Sequence, residues 1–239
     1  MHLPLHTASS ASSSSGELGH KFFGLLNRKP RWGFSWKGWL TLIVGTVALA
    51  LTVFFNLHSF LAVTQPVDSK LLVAEGWVHD FTFEAAAKEF NNGRYISVFA
   101  TGGPIQGQGG YISDSHTYAS IGADKLVQFG VPAAMVHMVP SRVMARDRTY
   151  GSAVALRSWI REQKIAVTNL NVLTEDAHAR RTWLLFQKAL GPDVKVGIIS
   201  IPSPDYDAKH WWRYSEAARE VIDEGIAYIY ARFLFRPAE

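Results

Sequence analysis

The sequence predicts an α/β fold: a mainly parallel sheet of about five strands covered by helices and preceded by one transmembrane helix. Three observations lead there. Residues 38–63 run for 26 residues without an Asp, Glu, Lys or Arg. After Pro66, short β-rich runs alternate with helical segments, the pattern of strands joined by crossover helices. Most of those runs are almost continuously apolar, as expected of strands buried on both faces.

The first element is a basic segment, residues 1–37. Glu17 is its one acid, against Lys21, Arg28, Lys29, Arg31 and Lys37, which gives this stretch the whole formal net charge of +4. The rest of the chain is balanced in charge, which argues against a nucleic-acid partner. The run ASSASSSSG near the start is low in complexity and is expected to be disordered. Residues 38–63 are long enough to span a bilayer, which takes about 20 apolar residues of helix. A core helix would show a polar face, which this run lacks. A cleaved signal peptide is disfavoured by the long segment before the span and by the absence of a clean small-x-small site after Phe60. The expectation is an uncleaved single-pass anchor. Bases before the span and Trp32, Trp36 and Trp39 at its edge put the N-terminus in the cytoplasm and residues 66–239 outside it. An absence of cysteine suits that oxidising side.

In the exported domain, strands are expected at 69–74, 95–100, 135–139, 171–174 and 195–201. Helices are expected at 81–91, 116–129, 149–163, 178–190 and 211–235. Gly93 and Gly130 stand where a left-handed residue would stop the first two of these helices. In the last helix Ile222, Ile226, Ile229 and Phe233 recur at helical spacing and read as core. Trp211, Trp212, Tyr228, Tyr230, Phe233 and Phe235 could instead make an aromatic face toward the membrane.

In such sheets ligands bind beyond the carboxyl ends of the strands. The four loops there are rich in polar side chains: EGWVHD with Glu75, TGGPIQGQGGYISDSH, PSRVMARDRTYGS and EDAHARRTW. The order of a strand ending in a short Gly turn, TGGP, the helix-ending GVP, the Thr-containing loop RDRTYGSA and a strand followed by TEDAHARR resembles the SanA/YdcF/ElyC-like family of bacterial envelope proteins. The resemblance covers about residues 68–201, and nearly the whole exported domain once WWRYSE and DEGIAYIYARF are counted. It implies a Rossmann-like three-layer sandwich and a part in envelope or peptidoglycan homeostasis. The chain departs from the family where relatives carry Ser-x-Asn-Thr-x-Glu-Asn. Here stand Arg146, Asp147, Arg148, Thr149, Tyr150, Gly151 and Ser152, and Thr149 alone carries over.

The candidate ligand-binding residues are Gly102, Gly103, Arg146, Arg148, Thr149, Thr174 and Arg181, with His178 and Glu75 as candidate catalytic groups. Gly102 and Gly103 at a strand end would let backbone N–H groups approach an anion; a tight turn is the alternative. His178 and Arg181, three apart, project from one helix face toward Thr174, a set suited to phosphate or carboxylate. Near neutral pH the imidazole could serve as acid or base. On this reading, removing either side chain spares stability. Arg146 and Arg148 at a helix start oppose its macrodipole, so they call for an anionic ligand or a buried acid, for which Glu75 is the candidate. Asp147 or Thr149 suits the N-cap. Glu75 could also bind a sugar hydroxyl, activate water or serve as a structural ion pair. Arg180 is expected in solvent or paired with Glu175 or Asp176. The short pairs His79 and Asp80, and Asp114 and His116, come without HExxH or cysteines, so no metal site is assigned. No GxSxG elbow is present.

The function expected is that of a membrane-tethered protein of envelope biogenesis at the bacterial cytoplasmic membrane, binding an anionic small-molecule or lipid-linked ligand such as a cell-wall precursor. The alternatives are a non-catalytic scaffold for envelope-protein partners and a nucleotide-type cofactor-dependent transferase. The last would want an acidic ribose-binding residue after the second strand, where Thr101 and Gly102 stand. The cofactor is left unknown, and whether the site is catalytic is left open.

Overall fold

The computed structural model describes residues 34–107, 110–144 and 146–237. The Ser-rich segment and Trp32 lie outside the described residues. A 26-residue helix, α1 (Trp36–Leu61), comes first and is long and apolar enough to cross a membrane. The boundary between two compact units falls inside this helix, after Ala48. In the first unit the described helical residues, from Trp36 onward, are almost all exposed. The second unit, from Leu49 onward, contains the last turns of α1 and an α/β domain.

That domain alternates β1 (Leu71–Glu75), α2 (Asp80–Glu89), β2 (Ser97–Gly102), α3 (Tyr118–Gln128), β3 (Val136–Pro140), α4 (Arg148–Glu162), β4 (Asn169–Glu175), α5 (Ala179–Leu190), β5 (Lys195–Ile201) and α6 (Ser215–Ile229). The five strands form one all-parallel sheet in the order β3-β2-β1-β4-β5. Central β1 pairs on both sides, Leu72 opposite Val98 and Asn171. Because successive side chains alternate across the sheet, Leu72 and Ala74 join a core with Phe83, Ala86 and Leu126 of α2 and α3. Val73 points the other way, into a core with Ala153, Leu156, Phe186 and Ala189 of α4 and α5. The result is a three-layer, Rossmann-like sandwich. A third cluster joins Leu61 of α1 to Ala177, Trp211, Ala217 and Val221.

All five expected strands are present, and the helix stops at Gly93 and Gly130 have φ of 80° and 97°. The expected terminal helix 211–235 is instead divided into a 3₁₀ segment Ala208–Arg213, then α6, then a π-turn Tyr230–Leu234. Its core assignment is overturned. Ile226, Ile229 and Phe233 are 63%, 56% and 74% exposed, while the buried side is Ala217, Val221 and Gly225. The reason is the neighbour: α1 lies so close that a Cβ on Gly225 would stand 3.5 Å from Leu57, so a small-residue stripe makes the contact. Trp211 is not membrane-facing either; it is buried, its ring 4.8 Å from that of Phe54.

The last turns of α1 belong to the domain core. Leu61 is fully buried and His58 nearly so. Beyond them Gln65 bridges antiparallel to Ile198 on the free edge of β5. The Thr64 hydroxyl accepts from Ser200 N at 3.0 Å. The Asn171 side chain holds both the N–H and the carbonyl of Val67 at 2.8 Å.

Candidate functional site

The strand order reverses between β1 and β4, and at that switch point, beyond the carboxyl ends of the strands, lies a cavity of about 430 Å³. Glu75 ends β1, Gly102 ends β2 and Glu175 ends β4, so the topology alone places all three at its floor. Arg148 and Thr149 open α4 on one side, and α6 covers the other with Glu220 and Glu224.

Glu75 is 2% exposed. Its Oε2 accepts from the Thr174 hydroxyl at 2.6 Å and from the Thr182 hydroxyl at 2.9 Å. His178 Nε2 stands 3.7 Å away. The other imidazole nitrogen, Nδ1, lies 2.9 Å from Glu224 Oε1. Arg181 forks onto the same carboxylate, donating from Nε to Oε2 at 2.7 Å and from Nη2 to Oε1 at 2.9 Å. Arg181 Nη2 also lies 2.9 Å from Nδ1, so this nitrogen stands between a guanidinium that only donates and a carboxylate that only accepts; when it carries the proton it donates to Glu224. Nε2 then remains beside Glu75. Trp77 packs edge-on against the imidazole, centroids 4.5 Å apart, and fixes its plane.

Burial by itself would raise the Glu224 carboxyl, but His178 and Arg181 outweigh it and hold the group far below the ordinary carboxylate range. Burial would lower Arg181, and Glu224 reverses that into a raised value. Among the described residues Glu220 forms no ion pair. Burial, followed by the charges of Asp176, Glu175 and Glu224, pushes it up to about 7, and the charge of His178, which lowers it, is the least of the influences on it.

The cavity thus gathers Glu75, Gly102, Gly103, Arg148, Thr149, His178 and Arg181, with Thr174 directly behind Glu75. Arg146 is apart from them, its side chain 84% exposed and its Nε 3.9 Å from Asp147. Neither arginine of the ARDRT segment pairs with Glu75; threonines and an imidazole take that place. Arg148 reaches the glycine-rich loop. With the Gln106 amide oxygen turned toward it, Arg148 donates to that oxygen through Nη2 at 2.8 Å and Nη1 at 2.5 Å. Among the described residues no carboxylate forms an ion pair with Arg148. Asp147 is the N-cap, in the left-handed region at φ 58° and without a side-chain capping bond. Gly102 and Gly103 line the cavity, but protein already fills the space a Cβ would need: Tyr118 and Ala119 stand 2.6–2.8 Å from it at Gly102, and Val143 O 2.8 Å from it at Gly103. These glycines are required by close packing of α3 and the β3–α4 loop. Arg180 is partly exposed and, among the described residues, pairs with neither Glu175 nor Asp176. Its guanidinium lies 4.0 Å over the Phe60 ring, and its Nε donates to the Phe60 carbonyl.

No protein-family model matches this chain, and no curated protein matches it. The site is therefore read from its own geometry.

The short His/Asp pairs are dispersed among other partners. His79 Nδ1 binds Glu175 at 2.9 Å, Asp80 takes Lys125 Nζ at 2.7 Å, Asp114 accepts from the Tyr111 hydroxyl at 2.6 Å, and His116 meets Ser113 at 3.2 Å. Sequence reasoning did not assign Glu224, Glu220, Thr182 or Trp77 to the site. A signal for two of them existed: Glu220 and Glu224 sit four apart on a helix with apolar stripes, so they share one face, and a nearby cation would relieve their repulsion.

Proposed function

We propose that this chain is a membrane-anchored, extracytoplasmic domain of the bacterial cell envelope, with its N-terminus in the cytoplasm, that binds a glycosyl phosphate, the headgroup chemistry of a lipid-linked cell-wall precursor. The observation that carries the reading is the convergence of two chemically different surfaces in one cavity at the switch point of the sheet. Arg148, Thr149 and the start of α4 offer a guanidinium without an acidic partner, a hydroxyl and the partial positive charge of a helix N-terminus, which suit a phosphate. Arg146 lies against Asp147 and offsets its charge. Glu75, Glu175, Glu220 and His178 form the opposite surface, with acceptors for sugar hydroxyls. So many carboxylates would repel a ligand that was anionic throughout. Should the bound ligand react, His178 Nε2 and Glu75 are the groups placed to move a proton.

The anchored reading gains support from the burial of His58 and Leu61, since cleavage after the span would remove side chains that the domain core uses. The side of the membrane and the envelope setting rest on the basic flank and on the resemblance to the SanA/YdcF/ElyC-like family.

Calorimetric titration of the full chain in nanodiscs, with N-acetylglucosamine 1-phosphate, N-acetylglucosamine and inorganic phosphate as probes, tests the ligand class. The sugar phosphate is expected to bind most tightly. Arg148→Ala should cost its binding about 1.5–3 kcal/mol, the worth of a charge-assisted contact, and leave the plain sugar unaffected. Failure of every probe to bind, or an Arg148→Ala chain with undiminished affinity for the sugar phosphate, refutes the reading.

A further inference from the structure

The end of α1 bonds to the turn that carries two residues of the pocket. His58, in the last turn of α1, is 6% exposed, and its Nε2 lies 2.5 Å from Asp176 Oδ1. Asp176 is 1% exposed and follows β4 directly. Its backbone is left-handed at φ 37°, a conformation that costs an L-residue free energy and persists only when its surroundings fix it. Three bonds fix it here: His58 on Oδ1, Ser203 N on Oδ2 at 2.9 Å, and the Ser200 hydroxyl on the Asp176 carbonyl at 3.0 Å. The residue before it, Glu175, and the residue two after it, His178, both line the cavity. Burial would raise the Asp176 carboxyl, yet the bonds from His58 and Ser203 hold it below its usual range, so the turn carries a buried, hydrogen-bonded carboxylate.

We propose that His58 is a positioning residue for the pocket: from the membrane helix it locks the left-handed turn at Asp176 that aims Glu175 and His178 into the cavity. The assignment rests on that cavity being the ligand site. A Glu175–Asp176–Ala177–His178 turn without this lock has a buried carboxylate lacking the His58 contact and a strained residue lacking one of its three restraints. Such a turn relaxes, and the two side chains lose their shared geometry. The end of the anchor thereby acts as a structural member of the binding site.

The test uses the full chain in nanodiscs, read by amide hydrogen exchange and by titration with N-acetylglucosamine 1-phosphate. His58→Ala is expected to speed exchange over residues 175–178 by about tenfold or more while the amides of β1 keep their rates, and to weaken the probe by about tenfold. His58→Gln, which can donate from the same place, should behave as the parent. Asp176→Asn keeps a residue tolerant of the left-handed region but removes the charge, so it should loosen the same turn in a folded chain even where His58→Ala does not fold. Leu61→Ala, from the same end of α1 but without a bond to the turn, should lower Tm and leave exchange over residues 175–178 unchanged. Unchanged exchange there in both His58→Ala and Asp176→Asn overturns the proposal, and so does equal local loosening in Leu61→Ala. Exchange is measured without ligand, so a probe that fails to bind the parent chain sinks the ligand reading and leaves this one to be decided by the turn.

Discussion

Removal of Arg181 should destabilise the domain, not merely empty its pocket. The guanidinium makes two charge-assisted bonds to Glu224, and both side chains are largely buried, 19% and 14% exposed. Arg181→Ala leaves that carboxylate with His178 alone. Breaking a buried pair from one side costs about 3–5 kcal/mol; the residual exposure of both partners, and the bond His178 retains, place the expected loss near ~3 kcal/mol. For a domain of this size each 1 kcal/mol moves Tm by about 2–4 °C, so a fall of about 6–12 °C is expected at pH 7. The pH dependence has a definite sign. Glu224 is depressed when folded, so its contribution is complete above its unfolded value of 4.5 and is lost as pH falls through the lower folded value. The gap between parent and variant should therefore narrow steadily below pH 4.5, because a protonated Glu224 no longer needs its cation. Thermal unfolding of the full chain in detergent, followed by circular dichroism across this range, measures both effects. Adding Glu224→Gln should restore part of the lost Tm, a coupling that a double-mutant cycle reads directly. An Arg181→Ala chain within about 1 °C of the parent at pH 7 would refute the reasoning and return Arg181 to a purely ligand-binding role.

Glu220 works in the opposite sense. Its carboxyl is raised to about 7 from 4.5, so ionisation costs the folded state progressively more between those values; Glu220→Gln should raise Tm at pH 8, by an amount equivalent to ~1–2 kcal/mol after allowance for partial exposure, and the gain should vanish below pH 4.5. An unchanged Tm at pH 8 would mean that Glu220 is better solvated than its neighbours imply. A chain beginning at Pro66 lacks Leu61 and His58, and deleting one buried Leu side chain alone costs about 2–5 kcal/mol, so this fragment should unfold well below the full chain or fail to fold. Equal thermal stability of fragment and full chain would show that the end of α1 is dispensable to the core.

The sheet was legible because its strands are buried on both faces and therefore read as continuous apolar runs, and the stops at Gly93 and Gly130 were legible because each needs a positive φ. The loops that carry Glu75, Arg148 and His178 followed from one rule about strand ends. What the sequence hid was pairing between distant elements. Glu224 is 43 residues from Arg181, and nothing local says which of several acids completes the fork. The two apolar stripes of α6 were indistinguishable by period alone: Val221 and Gly225 meet α1, Ile222 and Ile226 meet solvent, and the choice is made by α1, itself read only as a span. Gly102 lines the cavity as its place at a strand end implied, but the packing of Tyr118 into the space of its missing Cβ could not be read locally.

The short stretch after α1 joins the sheet, and that governs how the protein meets its surroundings. Parallel sheets end in strands with unpaired N–H and carbonyl groups, a template on which another chain can add. On β5 the outward groups of Ile198 are taken by Gln65, and those of Ser200 by the Thr64 hydroxyl. The segment is therefore a hem: it blunts the β5 edge against strand addition by neighbouring chains. A proteolytic cut at residues 64–67 would loosen that pairing and bare the β5 edge to a neighbouring chain.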